Sequence, residues 1–133
     1  LNVSTWVRTP ISSVSSVSRP SIALVQNRPA LVFAQTVSGT TTIIYVINSV
    51  SDGTGVFSSS TVVASSGSAS TSVGAPRLSV IGGKPAVLHT NTSIATYSVN
   101  PQVDGIGVWP FIPPPPLLLL RGQIRYRPHP RGN

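Results

Sequence analysis

An all-β fold of antiparallel, four-stranded repeats is predicted by three features of the sequence. The first is composition: 21 Ser and 12 Thr accompany many Val and Ile residues, whereas the helix-favouring Ala, Glu and Lys are scarce. The second is pattern, since short apolar runs of strand length are separated by clusters of Gly, Asn, Asp and Ser, the residues that turns select. The third is self-similarity, which at a period of about 50 residues marks a repeat architecture. A disordered Ser/Thr/Gly segment is the competing reading. The low charged content of 8% and the regular apolar runs argue against it.

Residues 20–33, PSIALVQNRPALVF, correspond to residues 76–89, PRLSVIGGKPAVLH, at an offset of 56. Residues 45–57, YVINSVSDGTGVF, correspond to residues 97–109, YSVNPQVDGIGVW, at an offset of 52. Tyr45 thus aligns with Tyr97, Asp52-Gly53 with Asp104-Gly105, Gly55 with Gly107, and Phe57 with Trp109. A four-residue difference in an intervening loop reconciles the two offsets, and loops absorb such changes at little cost. The chain holds only two acidic residues, and both stand in D-G-x-G-x-[aromatic] at the same repeat position. Chance would seldom place them so.

In chain order, residues 21–25 read as a strand, Gln26-Asn27-Arg28 as a turn, and Ala30–Ala34 as the return strand. Pro29 stands at a strand start, where its missing N–H is tolerated. A loop around Gly39 leads to a third strand, Thr42–Ile47. Asp52–Gly55 makes a turn that needs positive φ, which glycine supplies. Phe57 opens a fourth segment with Ser60–Ala64 as its strand, and Ser65–Ala75 is a linker rich in Ser and Gly. Four short strands in about 55 residues are the content of one β-propeller blade. The second unit repeats the first three strands at Leu78–Ile81, Ala86–His89 and Ile94–Val99.

The expected organisation is therefore a partial β-propeller. Residues 1–19 are the end of a preceding blade, with Trp6 in the place of Phe57 and Trp109 and with Pro10–Val17 as an outer strand. Residues 20–75 are a complete blade-like repeat and residues 76–109 a second, incomplete one. Residues 110–133, PFIPPPPLLLLRGQIRYRPHPRGN, form a tail outside the repeat, free of Ser and Thr, whose four consecutive prolines favour polyproline II. Docking of the PxxP type through Pro113–Pro116 is the minor reading of that tail. Packing of the Leu117–Leu120 run on an open sheet edge, or self-association through it, is the major one.

The chain resembles the repeats of secreted β-propellers related to the sialidase-type Asp-box and BNR-like families. The likeness rests on the P-S-[IL]-A-x-V-x-x-x-P-A-[LV]-x-[FH] hairpin, the strand carrying Tyr45, and the Asp-Gly turn closing on Phe57 or Trp109, over about residues 20–109. The Asp-box pattern is S-x-D-x-G-x-x-W. Here Val50 and Gln102 occupy its Ser position, and Thr54 and Ile106 occupy its Gly position, with glycines on either side. The turn is a degenerate relative, and the resemblance implies a fold rather than an activity. Glycosidases of the family use an arginine triad, a nucleophilic Tyr with its Glu, and an acid Asp; this chain has no Glu.

Composition excludes several function classes. There is no Cys, so no disulfide, thiolate nucleophile or Cys-based metal site exists within the chain. The absence of Met predicts a fragment or a processed chain. No uninterrupted apolar stretch reaches the roughly 18 residues a membrane span needs. The net charge of +7 comes from single basic residues at Arg8, Arg19, Arg28, Arg77 and Lys84 and a cluster at Arg121, Arg125, Arg127 and Arg131. That is a basic tail with few acids, which suits loose adhesion to anionic polymers; no module for specific nucleic-acid recognition accompanies it.

No catalytic, cofactor or metal site is predicted. Asp52 and Asp104, at equivalent turns, cannot converge on one glycosidic bond, and one carboxylate per turn leaves a calcium ion short of hard ligands. They are read as structural, with Gly53, Gly55, Gly105 and Gly107. His89 stands where the first unit has Phe33 and is read as a packed strand residue; His129 has no partner nearby. There is no G-x-S-x-G elbow, P-loop or dinucleotide fingerprint. Trp6, Tyr45, Phe57, Tyr97 and Trp109 are the candidates for something specific, either inter-blade packing or stacking on a pyranose ring. Asn2 and Asn91 lie in glycosylation sequons.

The expected function is a non-catalytic repeat scaffold or weak glycan-binding module, extracellular or at the cell surface. A remnant of a glycan-processing hydrolase whose catalytic residues lie outside this chain, or a truncated product without selected function, is the alternative. Because closure of a propeller takes at least about four blades, the expected partners are further copies or missing blades of a longer chain, with a glycan as the ligand. Aromatics clustered on a rim would favour glycan binding; aromatics buried between sheets would favour the scaffold.

Overall fold

The computed structural model describes residues 6, 8–11, 16–66, 73–91 and 94–110. They form an all-β fold of two antiparallel sheets. The first contains β1 (Val17–Val25), β2 (Arg28–Val37), β3 (Thr40–Ile47) and β4 (Thr61–Ser65) in the order β1-β2-β3-β4. The second contains β5 (Val73–Ile81), β6 (Lys84–Asn91) and β7 (Ile94–Val99) in the order β5-β6-β7.

Two-residue turns set the register. Gln26 and Asn27, Ser38 and Gly39, and Gly82 and Gly83 all take positive φ at the tips of three hairpins. Paired positive φ is the signature of type I′, whose twist matches that of the flanking strands. Arg28, expected in the turn, already pairs with Val25, because a two-residue turn leaves it in the ladder.

The strands run longer than the apolar pattern implies. β1 begins at Val17 rather than residue 21, and β5 at Val73 rather than Leu78, so part of the expected 65–75 linker is strand. The cause is a bulge repeated at the offset of 56. Pairing shifts between Ser18 and Ser21 and again between Gly74 and Arg77, with positive φ at Arg19 and Ala75 just before Pro20 and Pro76. A bulge is one of the few sites inside a sheet that accept proline, so a residue read as punctuation lies within a strand. Pro10, Ile11 and Ser16 are not in a strand, against the outer strand expected at Pro10–Val17; residues 12–15 lie outside the described residues, as does the tail from 111 to 133.

The ladders also locate the four-residue difference between the units. β2 and β3 close at Val37↔Thr40, whereas β6 and β7 close at Asn91↔Ile94, the counterpart of Gln35↔Thr42. Two rungs have been trimmed from a hairpin tip, and the pairing Val32↔Tyr45 is preserved as Leu88↔Tyr97.

Strand alternation splits the first sheet into two apolar faces. Val32, Ala34, Ile43, Tyr45 and Ile47 on one face join Leu78 and Val87 of the second sheet in the main core, over which β5 lies against β1, β2 and β3. Phe33, Ile44 and Val46 on the other face form a smaller cluster with Leu31, Phe57 and Ile11. A cross-sheet hydrogen bond from the Leu78 N–H to Ser21 Oγ, at 3.1 Å, fixes β5 on β1.

Gln26 tolerates its left-handed conformation poorly, whereas Asn-Gly is the preferred type I′ pair. The double substitution Gln26→Asn with Asn27→Gly is therefore expected to stabilise the chain by about 1 kcal/mol. Thermal unfolding followed by circular dichroism checks it; an unchanged or lowered Tm contradicts the turn assignment.

Candidate functional site

Each Asp-Gly turn is built around a buried asparagine. Asn48 and Asn100, both fully buried, follow β3 and β7. Asn48 Nδ2 donates to the carbonyls of Gly53 (3.2 Å) and Gly55 (3.0 Å), while its Oδ1 accepts from the Val50 N–H at 3.0 Å. Asn100 repeats the clamp, donating to the Gly105 carbonyl at 3.1 Å and accepting from the Gln102 N–H at 2.8 Å. Each asparagine N–H is itself received by a proline carbonyl, Pro29 at 2.8 Å and Pro85 at 3.0 Å. These asparagines were not singled out from the sequence, although their identity at the offset of 52 was visible there.

The aspartates serve their own turns. Asp52 Oδ1 accepts from the Thr54 N–H at 2.9 Å and the Thr54 hydroxyl at 2.7 Å, and Asp104 Oδ1 accepts from the Ile106 N–H at 3.0 Å. The Thr54 N–H, and after it the Thr54 hydroxyl, hold the exposed Asp52 carboxyl below its usual range. Gly53, Gly105 and Gly107 take positive φ. Gly55 does not; its place is steric, because a Cβ there would collide with Ser49, Asn48 and Val50 side chains.

The second turn is also a socket for an aromatic side chain of the other sheet. The Tyr45 hydroxyl donates to the Asp104 carbonyl at 2.8 Å, and the Tyr45 and Trp109 rings lie 5.5 Å apart, tilted by 54°. Trp109 Nε1 donates to the Gly105 carbonyl at 3.2 Å, the same oxygen that Asn100 holds. A Cβ on Gly105 would lie 2.6 Å from the Tyr45 ring and 2.9 Å from Pro85, so only glycine lets the ring come this close. Burial pushes the Tyr45 hydroxyl well above its ordinary value; the Asp104 charge acts in the same direction and Arg28 against it.

The remaining aromatics are placed differently. Tyr45 and Trp109 are buried and Phe57 is half-buried against Phe33, Ile44 and Val46, whereas Tyr97 is 45% exposed and Trp6 95% exposed. Tyr97 and Trp6 are not brought together with the others. His89 is buried, like its counterpart Phe33. Asn91 ends β6; Asn2 and His129 lie outside the described residues. Among the described residues no group of three or more His, Asp or Glu is arranged to hold a metal ion. No helix among them is long and apolar enough to cross a membrane.

Comparison with known protein families, with curated proteins and with solved structures finds no match to this chain.

Asn100→Ala strands the Gln102 N–H and loosens the Gly105 carbonyl in a buried site, and is expected to cost about 2–3 kcal/mol in urea unfolding; a loss below about 0.5 kcal/mol, the scale of an ordinary surface substitution, contradicts the clamp. A second expectation concerns alkaline pH. Unfolded Tyr45 ionises near its ordinary value of about 10, while the folded chain keeps the proton beyond it, so stability falls as pH rises above about 10. Tyr45→Phe is expected to lose about 1 kcal/mol at neutral pH and to show a shallower decline between about pH 10 and 11. Parallel declines for the two proteins contradict the assignment.

Proposed function

We propose that the chain is a non-catalytic scaffold of propeller-type repeats, acting outside the cell or at its surface. The observation that carries this reading is the fate of Tyr45 and Trp109, which are buried between the two sheets where a ligand cannot reach them. The Asp52 and Asp104 carboxylates point the same way, since each accepts hydrogen bonds inside its own turn. A glycosidase pairs two carboxylates across one substrate bond, whereas Asp52 and Asp104 each fold back on a separate turn. The buried asparagines and aromatics fit a role in holding sheets at a fixed spacing.

Weak glycan binding is the second reading, and the exposed rings of Trp6 and Tyr97 favour it. A glycan array probed with the intact chain, Trp6→Ala and Tyr97→Ala separates the two. The scaffold reading expects no saturable binding by any of them. Saturable binding by the intact chain that either substitution abolishes overturns it in favour of a carbohydrate module.

A further inference from the structure

The contact between the two sheets has two sides, and each side occurs twice in this chain, once inside that contact and once outside it with residues left open to solvent. Tyr45 is fully buried against the second sheet, but its counterpart Tyr97 is 45% exposed. Val32 is fully buried, but its counterpart Leu88 is 49% exposed. On the receiving side the pattern reverses: Leu78 is 8% exposed and its counterpart Ile22 67%. The chain thus displays a complete interface in its middle, an open face at Tyr97 and Leu88, and a receiving face on which Ile11 packs against the buried Phe33, Ile44 and Val46 while Ile22 stays open.

The tyrosine socket follows the same rule. In the second sheet Pro85 and Gly105 are buried under the Tyr45 ring. In the first, Pro29 and Gly53 stand in the same arrangement, with Gly53 at φ +77 against +75 for Gly105 and its Cβ position 3.3 Å from Pro29. Both are only half-buried, and among the described residues no tyrosine occupies that place. Ile11 covers the Phe33 side of this face and leaves Ile22 bare.

We propose that the chain associates head to tail with a second copy of itself, the Tyr97–Leu88 face of one copy seating on the Ile22 face of the next. The Tyr97 hydroxyl donates to the Asp52 carbonyl of the neighbour, and its ring lies over Gly53 and Pro29, as Tyr45 does over Gly105 and Pro85. Because the two surfaces differ, the contact is heterologous, and each copy added presents a fresh Tyr97 face. The proposal rests on the scaffold reading but is tested by mass rather than by ligand, so either can fail alone.

The experiment is sedimentation velocity over a concentration series with the intact chain, Tyr97→Arg, Ile22→Arg and an equimolar mixture of the two variants. Both positions are exposed, and circular dichroism with Trp fluorescence checks that each variant is folded. The intact chain is expected to grow in mass with concentration and each arginine variant to remain monomeric. The mixture is expected to stop at a one-to-one dimer, since it contains one sound copy of each surface. Tyr97→Phe, which removes only the hydroxyl, is expected to weaken association about fivefold. An intact chain that stays monomeric overturns the proposal. Arginine variants that associate like the intact chain, or a mixture that is not rescued, overturn it as well.

Discussion

The phenol of Tyr45 reaches from one sheet into the turn of the next, and Pro85, Asn100, Asp104, Gly105 and Trp109 are arranged around it. Its hydroxyl needs an acceptor, which is the Asp104 carbonyl. Its ring needs a surface without a Cβ, which is Gly105, floored by Pro85. The turn that presents both must not move, and Asn100 holds it from within while Trp109 closes the side. A buried hydroxyl left unpaired would cost more than the bond itself returns, so the members of this group stand or fall together. Every buried polar side-chain atom among the described residues has a partner, as a polar cluster in a core of Val and Ile demands.

Much of this was legible in the sequence because it is repeated there. The Tyr, Asp-Gly and aromatic positions recur at a constant offset, and one copy of each, Tyr45, Asp104-Gly105 and Trp109, stands where the two sheets meet. The strand cores were legible for a simpler reason, the alternation of Val, Ile and Leu. Two things were hidden. The bulges at Arg19-Pro20 and Ala75-Pro76 look like chain breaks, since proline signals a turn when read locally and neither Arg nor Ala announces the positive φ it adopts; only pairing with β2 and β6 shows a strand continuing past them. Asn48 and Asn100 were hidden by type, because asparagine near Asp-Gly is read as a polar turn residue and not as the centre of a buried clamp.

The faces of the sheets explain why exposure differs so sharply between equivalent residues. A sheet with two apolar faces can be satisfied only by neighbours on both sides. The first sheet has one full neighbour and the partial cover of Ile11; the second has one. Ile22, Leu88 and Tyr97 are therefore exposed because of where their sheet stands in the row, not because the residues differ in kind.

The trimmed hairpin carries a different lesson, about inheritance. Antiparallel rungs alternate between hydrogen-bonded and non-bonded pairs, and a two-residue turn closes on one kind only. A hairpin of this sort can lose or gain length only by whole pairs of rungs, and the change from Val37↔Thr40 to the counterpart of Gln35↔Thr42 is one such step. Length at that tip behaves as a discrete trait, drifting in steps of four residues. At the opposite end, where the asparagine clamp counts every atom from Asn48 to Gly55, no step is available. Divergence between copies is channelled to one rim of the sheet, and an inserted peptide would be accepted there and refused at the other.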